Sequence, residues 1–283
     1  MSRPIRLEFP GAIYHVTTRG SDGEDVFLDE QDRTLFLQVL GEVVLRSGWI
    51  IHAYVLMDNH YHLLLETPKA NLSRGMRQLN GVYTQRFNSA NNSGGRVFQG
   101  RYRAVLVERV SYLLELCRHV VLNPLRLKAV KNISRYRWSS YRATAGEIQA
   151  PPWLSTGWLL SHFGQNNAAA QRKYAAFIEA GVGLVSPLSN VKSQILLGSA
   201  AFTRKMKQRM SGIGELKVKK QQLKRPSLKT LFTLKVKKDK SLRNETISLA
   251  YRDYAYTMAE IAAAAQIHFS SVSKLIKKGE QSA

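Results

Sequence analysis

The sequence is poor in cysteine, in acidic residues and in long apolar runs. Cys117 is the only cysteine among 283 residues, which excludes an intramolecular disulfide and a cluster of thiolate metal ligands. No apolar run is long enough to span a bilayer, and residues 1–16 lack the apolar core of a signal peptide. These absences predict a cytoplasmic protein without a membrane segment.

Positive charge dominates the composition. The chain has 42 Lys and Arg against 20 Asp and Glu, a formal net charge of +22. Such an excess repels itself unless a polyanion is the usual partner, so we expect nucleic acid. An anionic membrane surface is the rival, but no strongly basic amphipathic helix supports it.

Composition divides the chain into four regions. Residues up to 185 use mostly arginine as the basic side chain, and later residues use mostly lysine. A lysine-rich stretch with few aromatics is typical of a flexible linker. We predict a compact domain over 1–145, a helical extension over 146–210, a basic linker over 211–240 and a helix-turn-helix-like segment over 241–283.

The first region alternates between strand and helix patterns. Strands are predicted over 12–19, 49–57, 60–66 and 102–108, with helices over 30–46, 71–89 and from 111 to the Asn123-Pro124 pair. This order predicts an α+β fold, a ferredoxin-like antiparallel sheet with helices on one face. An α-helical C-terminal region is expected to follow.

Two histidines follow a tight turn at Asp58-Asn59. His60 and His62 are separated by one residue of a predicted strand, so both imidazoles project from the same face. Such a pair can bind a divalent cation from a rigid platform. The alternative is a pair of half-exposed strand histidines without a role.

The third predicted helix carries a polar stripe. At 100° per residue, Tyr112, Glu115, His119 and Asn123 lie on one side of a helix that is otherwise apolar. We expect this side to complete a site, and the alternative is that it faces solvent.

Arginines alternate with aromatic side chains in two patches. The candidate contacts are Arg96, Arg101, Arg103 and Arg109 around Tyr102, and Arg126, Arg135 and Arg137 around Trp138 and Tyr141. This alternation suits single-stranded or hairpin DNA, in which phosphates are held and unpaired bases stack. Some of the aromatics, Trp138 especially, could equally belong to the core.

The C-terminal segment has the pattern of two short helices. Thr257 and Glu260 predict a capping box, and the turn follows at 266–268, without its usual glycine. The last helix, capped by Ser270, would offer polar side chains to the major groove of a duplex. These are Ser271, Ser273, Lys274 and Lys277. The alternative is an amphipathic helical hairpin that does not contact DNA.

Four blocks, MDNHYHLLLE, VFQGRYRAVLVE, YLLELCRHVVLNPLR and RWSSYRA, occur in this order within residues 8–145. They resemble the consecutive blocks of the transposases associated with repetitive extragenic palindromes, in the single-tyrosine HUH superfamily. The resemblance implies that His60 and His62 bind Mg²⁺ or Mn²⁺ with Asn123 as third ligand. It also implies a hairpin DNA substrate and cleavage through a 5′-phosphotyrosine. A homodimer is compatible with the resemblance.

The chain departs from this family at the nucleophile. The family's tyrosine falls on His119, whereas Tyr112 lies on the same stripe about 10.5 Å along the helix. We therefore expect a DNA transposase that uses Tyr112 or another tyrosine. The alternatives are a DNA-binding protein that has lost covalent catalysis, and metal-dependent hydrolysis with His119 as the base.

Overall fold

The computed structural model describes residues 7–210, 226–252, 254 and 256–281. The chain divides into two compact units, Met1–Lys207 and Gln208–Ala283. Within the described residues, no helix has both the length and the apolar character needed to cross a membrane.

A five-stranded sheet forms the centre of the first unit. Its strands are β1 Ala12–Arg19, β2 Ile50–Met57, β3 His60–Thr67, β4 Arg103–Val107 and β5 Leu196–Leu197. The order is β2-β3-β1-β4-β5, and all neighbours are antiparallel except β5, which pairs parallel with β4. The first four strands therefore have the predicted ferredoxin-like order, and the α+β class is confirmed. Strand β5 comes from the predicted helical extension and makes the sheet mixed.

Eight helices of the described residues accompany this sheet. They are α1 Glu30–Ser47, α2 Leu72–Ala90, α3 Arg109–Val121, α4 Asn123–Arg126, α5 Tyr141–Thr144, α6 Gly157–Ser161, α7 Asn167–Glu179 and α8, residues 200–210. Helix α1 begins where the Asp29 carboxylate accepts the Asp32 N–H at 2.8 Å. It ends at Gly48, which adopts a left-handed conformation with φ of 67° that glycine permits without strain.

The helices cover both faces of the sheet, so the prediction of helices on one face is wrong. On one face the Tyr61 ring lies 4.5 Å from Phe36 of α1, and the Tyr61 hydroxyl donates to Asn80 of α2 at 2.5 Å. On the other face Leu64 joins the core formed by Leu116 and other residues of α3. The central strands are apolar on both sides, and each side must therefore be covered.

The predicted helical extension belongs to the first unit. Leu159 of α6 and Tyr174 and Ile178 of α7 are buried in the same core as α3. These residues hold α3 between the sheet and the extension. The position of α3 is thus fixed from both sides, and the site described below depends on it.

The second unit is helical. Its helices are α9 Leu228–Leu231, α10 Leu234–Lys238, α11 Lys240–Arg252, α12 Met258–Ala265 and α13 Phe269–Gln281. Ile247, Ile261 and Val272 bring the last three helices together around a small core that also buries Phe232. The prediction of a linker is therefore wrong for residues 226–240, because this stretch is mostly helical and contributes to the core. Residues 211–225 of that linker lie outside the described residues.

Helix α12 begins with the predicted capping box and ends at Gln266. The Thr257 hydroxyl accepts the Glu260 N–H at 3.2 Å, and the Glu260 carboxylate accepts the Thr257 N–H at 2.7 Å. Gln266 adopts the left-handed conformation, with φ of 56°, where a glycine was expected. That conformation costs a side-chain-bearing residue about 1–2 kcal/mol. The last helix begins at Phe269, slightly earlier than predicted.

Candidate functional site

The two histidines of β3 face α3 at one end of the sheet. Their ring centroids are 5.1 Å apart and the ring planes are inclined by 82°. His62 is 8% exposed, while His60 is partly exposed next to the Asp58-Asn59 turn. Burial lowers the pKa of His60 and, more strongly, that of His62. Both rings are therefore neutral at pH 7, which is the state that binds a metal.

Hydrogen bonds fix the proton on the same nitrogen in both rings. The Asn59 side-chain oxygen can only accept, so its 2.7 Å contact places a proton on His60 Nδ1. The Asn123 amide donates to His62 Nε2 at 3.2 Å, so the His62 proton lies on Nδ1. Each ring thus keeps an unprotonated Nε2, the atom that a cation requires.

Asn123 adds a third group to this pair. Helix α3 ends at Val121, and the short α4 begins at Asn123, which is 8% exposed and contacts His62. The Asn123 Oδ1 atom is buried without a hydrogen-bond partner among the described residues. Buried oxygens normally have a hydrogen-bond partner, and a divalent cation is a suitable partner for an amide oxygen. Two imidazoles and this amide therefore fit the metal that the family resemblance implies.

The third candidate ligand, Asn123, is an amide and not a histidine, cysteine or carboxylate. In the part of the chain that the structure describes, no group of three or more His, Cys, Asp or Glu residues could hold a metal ion. The third ligand at His60 and His62 would therefore be an amide oxygen.

His119 lies next to this pair but cannot act as a base in this arrangement. Arg126 donates to His119 Nδ1 at 2.8 Å, and the Ser186 hydroxyl lies 3.3 Å from the same atom. Burial and then the charge of Arg126 lower the pKa of His119 to about 4. A neutral ring with an accepting Nδ1 carries its proton on Nε2, so neither nitrogen has a free lone pair.

Two further predicted residues of α3 and α4 have contacts within the protein. Arg126 donates to His119 and to the Leu184 carbonyl at 3.3 Å, so it supports the site, and its contact with DNA stays a prediction. Tyr112 is partly buried against the core of the first unit. Among the contacts of the described residues, none joins Tyr112 to His60, His62 or Asn123.

Exposed arginines surround the end of the sheet where the histidines lie. Arg96, Arg101 and Arg103 are exposed, and Arg103 pairs across β4 and β1 with Thr17, which pairs with His62. Arg135 and Arg137 are exposed next to the edge strand β2, and Arg137 forms an ion pair with Glu30 at 3.0 Å. The side chain of Arg109 lies outside the described residues.

The aromatic residues of the two patches have mainly structural places. Tyr102 and Tyr141 are buried, so neither ring offers a face for base stacking. Trp138 is partly buried between the guanidinium groups of Arg33 and Arg137, at 5.8 and 5.7 Å from its ring centroid. Of the residues in the two predicted patches, only the arginines and Trp138 therefore remain candidates for contact with DNA.

Two site residues were missed by the sequence analysis. His15 Nε2 lies 2.9 Å from His62 Nδ1, and the Thr17 hydroxyl lies 3.1 Å from the same nitrogen. Both belong to β1, and burial, followed by the charges of His119 and Arg103, lowers the pKa of His15 to about 3. Strand alternation places the two on one face, but only the register with β3 brings them to His62.

The polar residues predicted for duplex contact lie along α13. Ser271 and Lys274 are exposed and Ser273 is partly exposed, while Val272 and Ile276 are buried in the core of the second unit. The side chain of Lys277 lies outside the described residues. The described polar side of α13 is thus open to a ligand.

The buried histidines make a prediction about acid stability. His15 and His119 have folded pKa values of about 3 and 4, below the ordinary 6.5, so the unfolded chain binds protons that the folded protein does not. Stability is therefore complete above pH 6.5 and falls as the pH decreases toward 4. Each histidine contributes about 1.4 kcal/mol per pH unit in that window.

Urea unfolding of the metal-free protein between pH 7 and 4.5 measures this slope. In the His119→Gln variant, the slope of the free energy of unfolding against pH should be smaller by the contribution of one histidine. A free energy of unfolding that stays constant or increases toward pH 4.5 contradicts the burial of neutral rings.

Comparisons with known proteins identify one matching family. The family described as "Transposase IS200 like" matches residues 9–120, which confirms the predicted transposase resemblance for that part of the chain. A comparison with proteins of curated function finds no match.

Two solved structures are similar to this chain. A REP-associated tyrosine transposase bound to a REP hairpin is 16% identical, with a TM-score of 0.47 over 55% of this chain and 92% of that one. A candidate transposase from Deinococcus radiodurans R1 is 20% identical, with a TM-score of 0.30 over 46% of this chain and 91% of that one.

Proposed function

We propose, from the similarity of residues 9–120 to IS200-like transposases, that this chain is a transposase-like protein that binds single-stranded or hairpin DNA at a divalent-metal centre. His60, His62 and Asn123 would hold the metal, Mg²⁺ or Mn²⁺. When bound, the metal supplies a positive charge that attracts and polarises a DNA phosphate. The exposed arginines at the same end of the sheet hold neighbouring phosphates.

The state of His119 supports DNA binding over cleavage. It occupies the position of the family's nucleophile and offers only an N–H, because Arg126 occupies its other nitrogen. An N–H can donate to a phosphate oxygen but cannot attack phosphorus or remove a proton from water. The geometry therefore favours DNA binding without a covalent step, and it speaks against His119 as a hydrolytic base.

A radiolabelled single-stranded hairpin, incubated with the full chain and Mn²⁺, tests this proposal. We expect retardation on a native gel and release of the intact strand on a denaturing gel. Failure to bind the hairpin contradicts the proposed function. A covalent adduct contradicts the absence of a covalent step.

Cleavage through Tyr112 is the second candidate. Tyr112 is a partly exposed tyrosine on α3, the helix that carries His119. It would need the DNA to lie along two turns of that helix. An adduct on the denaturing gel that disappears in Tyr112→Phe supports this candidate.

Arg101 tests the phosphate contacts. Replacing it with glutamine should weaken hairpin binding and reduce the slope of log K against log salt by about 0.7, the value for one phosphate contact on a single strand. Arg46→Gln is the matched control, because Arg46 is exposed where α1 leads into the start of β2, at the opposite end of the sheet from His60. Equal salt slopes for Arg101→Gln and wild type contradict a direct contact.

The second unit is proposed to bind duplex DNA through α13. Lys274→Gln should weaken binding to a random-sequence duplex roughly fivefold through the loss of one phosphate contact, and hairpin binding should change little. Lys229→Gln removes the same charge from an exposed position on α9 and serves as the control. Equal losses in both variants indicate a general charge effect and contradict recognition by α13.

A further inference from the structure

A small cavity lies next to His62 on the side away from Asn123. Its volume is about 130 Å³, and its lining residues are His15, Thr17, Arg103, Val105, Leu188 and Val191. Thr17 pairs with Arg103 on one side and with His62 on the other. The cavity therefore adjoins the metal centre through two residues that already contact His62.

One hydrogen bond sets the direction of all the others in this region. The Asn123 amide donates to His62 Nε2, so the His62 proton lies on Nδ1. That N–H lies 2.9 Å from His15 Nε2 and 3.1 Å from the Thr17 hydroxyl oxygen, and both of these atoms accept from it. His15 is buried and neutral, so its own proton must then lie on Nδ1.

The polar groups around the cavity are consequently donors. His15 has an N–H on Nδ1, the Thr17 hydroxyl has used its oxygen on His62 and keeps its hydrogen free, and Arg103 brings a guanidinium. No carboxylate belongs to the lining. Three donors and one positive charge match a group that only accepts hydrogen bonds and carries one negative charge.

The size of the cavity restricts the ligand further. Its volume of about 130 Å³ is several times the roughly 10–15 Å³ that one water molecule requires on the same measure. A phosphate with its ester oxygens can enter, whereas a nucleobase with its sugar must remain outside. Contacts of this kind position the DNA backbone and do not read its sequence.

We propose that this cavity binds one phosphodiester group of the DNA, held by Arg103, Thr17 and His15 next to the metal centre. The proposal rests on the proposed DNA-binding function and adds a second phosphate position to it. His15 and Thr17 also act as positioning residues, since they keep the His62 proton on Nδ1 and leave Nε2 for the metal.

The test uses the full chain labelled with ¹⁵N in histidine, without metal, and the dinucleotide TpT as the probe. Long-range ¹H–¹⁵N NMR should show the proton of His15 and of His62 on Nδ1, and that of His119 on Nε2. TpT should shift the His15 Nδ1 resonance to saturation, and thymidine, which has no phosphate, should not.

Two variants locate the binding. Thr17→Val keeps the shape of the side chain and removes its hydroxyl, and Arg103→Gln removes the charge. Each should raise the dissociation constant for TpT at least fivefold, while Arg46→Gln, with the same loss of charge at the far end of the sheet, should leave it within twofold.

The proposal is overturned if the His15 proton lies on Nε2, if thymidine binds as TpT does, or if TpT binding is the same in wild type, Thr17→Val and Arg103→Gln. A failure of the proposed function is recognised separately. Hairpin DNA that is not retarded on the native gel, together with TpT binding that depends on Arg103 and Thr17, contradicts hairpin recognition and supports the cavity. If the hairpin still binds, and TpT binds equally to wild type and to both variants, the cavity proposal alone is overturned.

Discussion

Replacing His119 with tyrosine should give a covalent protein–DNA adduct that the wild-type protein does not form. The substitution places a phenol at the position of the family's nucleophile, on the helix that faces His60 and His62. The new Tyr oxygen–phosphorus bond would form as the bond from phosphorus to the 3′ oxygen breaks, and the phenol proton would pass through water to that oxygen, which leaves as a 3′-hydroxyl. We expect an initial rate of adduct formation at least 100-fold above the wild-type background, equivalent to about 2.7 kcal/mol in the barrier.

The control for this gain of function is His119→Phe, which has nearly the same size without the hydroxyl. Both variants lose the acceptor of Arg126, so both should lose similar stability. Thermal unfolding and native-gel binding of the hairpin establish that each is folded. Two folded, hairpin-binding variants that both lack an adduct contradict the placement of α3 opposite the histidine pair.

Replacing His62 with alanine should lower the affinity for Mn²⁺ at least 100-fold. His62 is buried, and its Nε2 is held free of a proton by Asn123 and His15. Loss of an outer partner of a ligand typically costs 10–100-fold in metal affinity, so loss of a ligand itself should cost at least as much.

Calorimetric titration of the full chain with Mn²⁺ measures this loss. His162→Ala is the matched control, because His162 is exposed and lies against Trp158 on α6. His62→Gln preserves much of the side-chain volume, so it separates the loss of a metal ligand from a loss of Mn²⁺ binding caused by unfolding. If the wild type and a folded His62→Gln bind Mn²⁺ equally, the assignment of His62 as a ligand is wrong.

Local patterns in the sequence predicted much of the first unit. Strand alternation and the tight turn placed His60 and His62 on one face. Helix α3 ends at Val121, close to the predicted stop at Asn123-Pro124, although this pair itself begins α4. The face on which each of these side chains lies follows from the local pattern alone. The prediction of a polar stripe also held for His119 and Asn123, which are buried at the site.

What the sequence could not predict depends on contacts between distant segments. His15 and Thr17 reach His62 only through the register of β1 with β3, and β5 is too short to have a pattern of its own. Arg126 was predicted to bind DNA because the sequence shows its charge but does not show its contact with His119. Its actual contact with His119 arises where the turn after α3 directs the two side chains together.

The central claim is that the β3 imidazoles bind a divalent cation. Electron spin-echo modulation of Mn²⁺ bound to the full chain tests it most directly, because the modulation reports nitrogen nuclei that are coordinated to the ion. Coupling to two histidine nitrogens, which decreases to one in His60→Gln, is the predicted result. Mn²⁺ that shows only water protons, or coupling that is unchanged in both His60→Gln and His62→Gln, would contradict the account.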